Sequence, residues 1–530
     1  MEQNHIIHKV VIEVSVNNRK KAYEIKDNIS SFLTMDVFPK LEKHFNKAQA
    51  KLKAHTLQIS RLSLEINQTG TDLNAELESN IITALREELS EKIIEGSKQV
   101  TNTGNADDTN TDEQTTISLL SEEEKLLLSF IHFIEKGYMP WWNSSENKVS
   151  IFEPDSFKKM VLTKAFTAKM AFSLRNPKVR ERIINQLTDT QIEQICRVII
   201  KTKDFNIVLK NPIIKKVVQQ SLTDRKAIWS LILSVLIQSF DHSNDVLQNY
   251  IVQQSVKIIP LLQAAENEVA EEQIWQAITA VFPFIKERET ARFVTLRNQH
   301  DTDTDKTVGI NKKNSPDAIQ KAVQKGAETE TKSGTESKFE NEAKITSESE
   351  VDFGDNLQDE TLTDDEVNGY QVENAGLVII QPFMYNLFKH CNLVDPVTNK
   401  LTDPETGVHL LHYIATGKTN QPESGMLFEK FLCNIPFNQS INRHIKLTRK
   451  QKSEAAKVIK AVQQNWSAMK TSSVSLLQHE FFQRPGKLVL ADNQTLTIER
   501  KTQDILLDKL SWGISMIKLP WHNQFIFVNW

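Results

Sequence analysis

Histidine, cysteine and paired acids are where a chain of this kind could do chemistry, and its C-terminal half concentrates them. His409 and His412 are three residues apart, a spacing that a helix turns to one face. His390 and Cys391 precede them and Cys433 follows. A metal-binding protein or enzyme using His409, His412 and Cys433 is therefore one reading of this stretch. The His-Glu-x-x-His order of a zinc peptidase is missing from the pair, and histidines satisfied within a fold are the other reading. Gly417-Lys418-Thr419 has the ending of a phosphate-binding loop. That loop needs a glycine five residues before its Gly-Lys pair, and the residue there is His412. Gly417 is expected to cap a helix at positive φ instead. Asp504 and Asp508 stand i, i+4, but Arg500 and Lys501 beside them make a salt-bridged face the simpler expectation. No catalytic residue, cofactor or metal ligand is assigned.

The remaining candidates are aromatic. Tyr138-Met139-Pro140-Trp141-Trp142 places three large rings beside a proline, and Trp512, Trp521 and Trp530 crowd the last part of the chain. Tryptophan anchors interfaces and also fills cores. Trp141, Trp142, Trp512, Trp521 and Trp530 are candidate partner contacts, with burial as the competing expectation for each.

The patterning predicts a predominantly helical α+β fold. Ile7 to Val16 alternate between apolar and polar, the period of a strand with one buried face. A helix is expected after Asp36, with Pro39 in its first turn. A second strand is expected over Thr56 to Ile66, with a bulge at Ser60-Arg61 where the phase slips. A helix over Leu73 to Leu89 stops at Gly96. Residues 1–97 thus read as a β-α-β-α domain. Residues 98–115 read as a disordered linker, being mostly polar with no large aliphatic after Val100. Ser121 to Glu124 is a capping box opening a helix that Gly137 closes.

Residues 116–298 read as an irregular helical region punctuated by Asn176-Pro177, Thr188, Asn211-Pro212, Thr223 and Ser243, with no sustained heptad. From Asp301 to Asn368 there are 18 acids against 8 lysines. Residues 299–372 are accordingly expected to be an acidic disordered linker. Residues 373–530 read as a C-terminal α+β docking domain. Its helices fall at Gly407–Ala415, Ser424–Asn434 and Thr448–Met469. Three or four antiparallel strands follow, at Lys487–Leu490, Thr495–Glu499, Trp512–Leu519 and Phe525–Trp530.

At 530 residues the chain exceeds one core. The net charge is −4, but from Gly376 onward 18 Lys and Arg face 11 acids. That local surplus could favour an acidic protein surface. It lacks the clustered basic stripe expected for nucleic acid, and no nucleic acid is expected as a partner. Three widely spaced cysteines fit a reducing cytoplasm. No signal peptide is expected, and the longest apolar run, Ile228 to Ile237, is too short to span a bilayer, so no membrane insertion is expected.

Several long motifs resemble the tape measure proteins of contractile injection systems, the phage-tail-like devices. They are LLHYIATGKTN (Leu410–Asn420), FLCNIP (Phe431–Pro436), INRHIKL (Ile441–Leu447), QRPGKL (Gln483–Leu488) and ERKTQDILLDKLSWGISMIKLPW (Glu499–Trp521). The run HIIHKVVIEVSV, Ser30–Phe45 and FIHFIEKGYMPWW (Phe130–Trp142) are similar to the same family. The resemblance covers roughly the first 170 and last 150 residues. It implies a non-catalytic assembly protein that contacts inner tube, baseplate or hub proteins and limits how far tube and sheath polymerise. It implies assembly in the cytoplasm and release within an extracellular particle. A single helix of this length would span ~800 Å, yet prolines, strands and linkers interrupt it. A ruler, a cap or terminator, and a general helical scaffold all remain open at this point.

Overall fold

Helix α1 (Arg19–Phe32) begins at Asn18, whose side chain accepts from the Lys20 amide at 2.9 Å. It continues without a break through a π-turn, Leu33–Val37, into α2 (Phe38–Leu52). Pro39 therefore lies inside a long helix, not in a first turn. Proline lacks the N–H and crowds the preceding turn's carbonyl, and the wider π-turn just before it accommodates both defects. The computed structural model of the chain describes residues 5–16, 18–52, 55–67, 73–101, 117–143, 151–200, 211–262, 269–282, 284–286, 288–297, 369–490 and 493–530. Residues 102–115 and 299–368, within the two expected linkers, lie outside the described residues.

The N-terminal part differs from its expectation in two ways. Residues 7–16 form no strand, and Ile7, Val10, Val11, Ile12 and Val14 are exposed. Helix α3 (Ala75–Thr101) runs past Gly96. One glycine costs a helix only about 1 kcal/mol, and neighbouring Glu, Lys and Ile residues sustain it. Strand β1 is Thr56–Ile59, pairing antiparallel with β2 (Ile117–Leu120). Pairing stops where the phase slip falls; beyond it Leu62, Leu64 and Ile66 are half-buried and Arg61, Ser63 and Glu65 exposed. Phe32, Val37, Leu41 and Leu85 form the small core of this part.

Helix α4 (Glu122–Lys136) has its capping box: the Ser121 hydroxyl accepts from the Glu124 amide at 3.2 Å, and the Glu124 carboxylate accepts from the Ser121 amide at 2.9 Å. A series of helices follows: α5 (Pro154–Val161), α6 (Phe166–Ser173), α7 (Pro177–Gln186), α8 (Asp189–Ile199), α9 (Pro212–Gln220), α10 (Leu222–Asp241), α11 (Asn244–Ile258) and α12 (Glu271–Val281). Asn176, Thr188, Asn211 and Ser243 are N-caps, and Ser221 caps α10 where Thr223 was expected. Their inner faces share one core, with Trp229, Trp275, Phe130, Phe133 and Phe157 fully buried.

The C-terminal part has a second large core. Helices α13 (Gln381–His390), α14 (Pro404–Thr416), α15 (Leu427–Leu432) and α16 (Arg449–Asn465) pack beside a five-stranded sheet. The strands are β3 (Tyr370–Val372), β4 (Gly486–Val489), β5 (Gln494–Ile498), β6 (Met516–Ile517) and β7 (Ile526–Asn529), in the order β3-β4-β5-β7-β6. The sheet is mixed, because β5 and β7 pair in parallel. The connection between them carries a 3-10 turn, Thr502–Lys509, and β6, which is long enough to bring the chain back in the same direction. The architecture is predominantly helical α+β, as the patterning predicts.

Candidate functional site

The two large cores meet at α7, and charged side chains fill the joint. Asn176 caps this helix and Pro177 occupies its first position, where a missing N–H costs nothing. Its apolar residues Ile183 and Ile184 join the helical core. Its polar residues Arg182, Asn185 and Gln186 are equally buried and turn toward residues 420–443. Arg182 Nε donates to Glu423 Oε1 at 2.6 Å, and Arg182 Nη1 donates to the carbonyls of Ile134 at 2.7 Å and Glu135 at 3.1 Å. Those carbonyls belong to the last turn of α4, which lacks helical partners, so the guanidinium caps α4 while it binds Glu423.

Glu423 is bonded on every side. Its Oε2 accepts from the Ile441 amide at 2.9 Å, and its own amide donates to Gln186 Oε1 at 3.0 Å. Lys430 Nζ lies 3.7 Å from Glu423 Oε2 and donates to the carbonyls of Phe437 at 2.9 Å and Gln439 at 2.6 Å. Gln186 Nε2 donates to the Ile441 carbonyl at 2.7 Å, and Asn185 Nδ2 donates to Ser440 Oγ at 3.0 Å. Arg182, Glu423 and Lys430 side chains are all 0% exposed. Burial raises the Glu423 carboxyl above its ordinary value despite the two cations, and lowers the Lys430 ammonium to about 8. Both directions follow from removing charge from water.

The joint is tight as well as polar. Gly137 closes α4 at φ +93°, and a Cβ there would lie 2.6 Å from the Phe437 carbonyl oxygen. Tyr138 meets Tyr370 edge-on at 5.3 Å, and Tyr370 meets Phe437 at 4.5 Å. Arg225 on α10 repeats the capping device at the far end of α7, donating to the Leu187 carbonyl at 2.8 Å and to Asp189 at 2.8 Å.

The histidines and cysteine of the metal reading are engaged elsewhere. His409 Nε2 is 2.8 Å from the Asn442 carbonyl, and burial lowers its pKa. His412 Nδ1 is 2.8 Å from Glu429 Oε1, which also accepts from Asn374 at 2.7 Å. Burial raises the Cys433 thiol well above its ordinary range. Among the described residues no group of three or more His, Cys, Asp or Glu is placed to hold a metal ion. Gly417 ends α14 at φ +69°, its expected role.

The five tryptophans have distinct surroundings. Trp141 is half-buried and stacks on His8 at 4.6 Å; Trp142 is half-buried with Lys125 Nζ 6.0 Å from its ring. Trp512 donates to the Ile379 carbonyl at 3.0 Å, and Trp521, 8% exposed, donates to the Leu432 carbonyl at 2.7 Å. Trp530 donates to Asp504 Oδ2 at 2.9 Å, where Arg484 also binds Asp504 through two nitrogens at 2.7 and 2.9 Å. Sequence reasoning missed both buried ion pairs. A signal existed for Lys430, because Glu429-Lys430 interrupts the apolar run Met426–Leu432.

Two large hydrophobic cores joined through buried charge define a protein of the helix-dominated α+β class. The model of the contractile injection system tape measure protein family matches residues 4–530, and the chain belongs to that family. Such a structural family implies a non-enzymatic role. No curated protein and no solved structure matches the chain. No helix of the described residues is long and apolar enough to cross a membrane.

Proposed function

We propose that this tape-measure-type protein sets the extent of tube and sheath assembly as a folded docking or terminating body, not as one extended helix. The single observation that supports this reading is the buried joint of Arg182, Glu423 and Lys430. Paying the middle of the chain out as a rod would break that joint and expose two apolar cores to water. Inner tube, baseplate or hub proteins of the particle are the proposed partners. Trp141 and Trp142, both half-exposed, are the proposed leading aromatic contacts, with Trp512, Trp521 and Trp530 as further ones. Assembly takes place in the cytoplasm, and the protein leaves within the particle.

Electron microscopy of particles carrying helical insertions between residues 154 and 297 tests the reading. A docking body leaves tube length unchanged and alters only particle number or the regularity of length. A shift of about 1.5 Å per inserted residue would instead establish a helical ruler, and up to ~3.3 Å per residue an extended one.

A further inference from the structure

The positive surplus of the C-terminal part is gathered on one helix. Of the 18 Lys and Arg and 11 acids after Gly376, six Lys and Arg and one acid fall between Lys446 and Lys460. Fifteen residues thus hold +5 of a regional +7. Helix α16 sorts that charge by face. Ala455, Val458, Ile459 and Val462 are buried, while Arg449, Lys450, Lys457 and Lys460 are exposed. At 3.6 residues per turn those four cations share one arc of roughly 100° along a helix about 25 Å long.

Little within the described residues offsets this stripe. Glu454 lies at its edge and bonds Lys457 at 2.7 Å. Among the described residues Arg449, Lys450 and Lys460 have no carboxylate within ion-pair distance. The first turn of α16 holds Arg449 and Lys450 and no acid. Cations at the positive end of a helix dipole are unfavourable, and a negative occupant would reverse the sign.

The chain carries such an occupant. Residues 348–366 contain nine Asp and Glu and no Lys or Arg. Four residues later Tyr370 begins β3, and the 3-10 turn that follows it, Ala375–Ile380, packs against α16. The acidic stretch is thus tethered, close in sequence, to an element that packs on α16, which raises its effective concentration at the stripe. We propose that the α16 stripe is a docking surface for the chain's own acidic segment 348–366. The pairing is Coulombic and screened by salt. The four cations alternate with Ser453 and Gln464, with no exposed aromatic among them to stack on a nucleobase.

Carbodiimide coupling of the full-length protein tests this, because it joins a lysine amine to a carboxylate with no spacer. The Lys457–Glu454 link serves as the internal control. Links from Lys450, Lys457 and Lys460 to acids of 348–366 within one chain are expected, falling at least about threefold in 1 M salt, where the Debye length is about 3 Å. In a second measurement the nine acids are replaced by Asn and Gln. Acetylation of Lys450 and Lys460 is then expected to rise severalfold while the melting curve stays the same. Stripe lysines linked only to other acids, or only to a second chain, would overturn the proposal. So would unchanged acetylation in the neutralised variant.

Discussion

Arg182 Nε and Glu423 Oε1 lie 2.6 Å apart with neither side chain exposed, although 241 residues separate them in the chain. The pair joins the helical core to the C-terminal core. Breaking one partner leaves the other charged and dry. Arg182→Met is therefore expected to lower the unfolding free energy by about 3–5 kcal/mol. Arg182→Met with Glu423→Gln should lose less than the two single changes added together, by more than about 1 kcal/mol. Denaturant unfolding of the four proteins of this cycle measures the coupling, and strict additivity would show that the two groups act separately.

Lys430 gives the joint a pH dependence. Burial lowers its pKa from 10.5 to about 8, so the folded chain gives up this proton before the unfolded chain does. The unfolded state then binds more protons between about pH 8 and 10.5, and stability from this group rises with pH across that window. Below pH 8 both states carry the proton and the contribution is flat. On going from pH 8 to about 10, the parent should gain stability relative to Lys430→Met. A difference that stays constant across those pH values would mean the ammonium is not depressed.

Gly376 is packed directly on backbone. A Cβ there would fall 1.6 Å from the Phe481 carbonyl oxygen and 2.7 Å from its carbon. Backbone on both sides must move to admit one methyl group. Gly376→Ala is expected to cost about 3 kcal/mol or more, as overpacking of a rigid core does. Thermal melting checks this, and a melting point within about 2 °C of the parent's would contradict it.

Trp521 and the Trp141-Trp142 pair should respond oppositely to truncation. Trp521 is 8% exposed and stacks on Phe388 at 5.2 Å, so Trp521→Ala is expected to cost about 3–5 kcal/mol. Trp141→Ala and Trp142→Ala remove half-exposed rings and should cost much less. If those two rings anchor a tube or baseplate protein, particle incorporation falls in these variants while the melting curve holds. Full incorporation of the double variant would remove them from the interface.

Local pattern carried far in this chain. The capping boxes at Ser121 and Thr188, the glycine ends of α4 and α14, and the amphipathic period of α16 are short-range physics, written within a few residues and legible there. The same reasoning failed where neighbours in space decide. Residues 7–16 alternate like a strand, but alternation supplies only a face, and a strand also needs a hydrogen-bonding partner. Strand β3 is three residues long and exists only because β4 lies beside it. The parallel pairing of β5 with β7 depends on the path of the 27 residues between Ile498 and Ile526.

By itself, then, the sequence determined the helices, their caps, the charge segregation and the family motifs, because each depends on residues close together in the chain. Tertiary structure alone decided which charges are buried. Arg182 sits between Glu181 and Ile183 and looks like any surface arginine of an amphipathic helix. It becomes the centre of the molecule because folding brings Glu423 and the ends of α4 to it from distant parts of the chain. Desolvation then makes each of those contacts costly to lose.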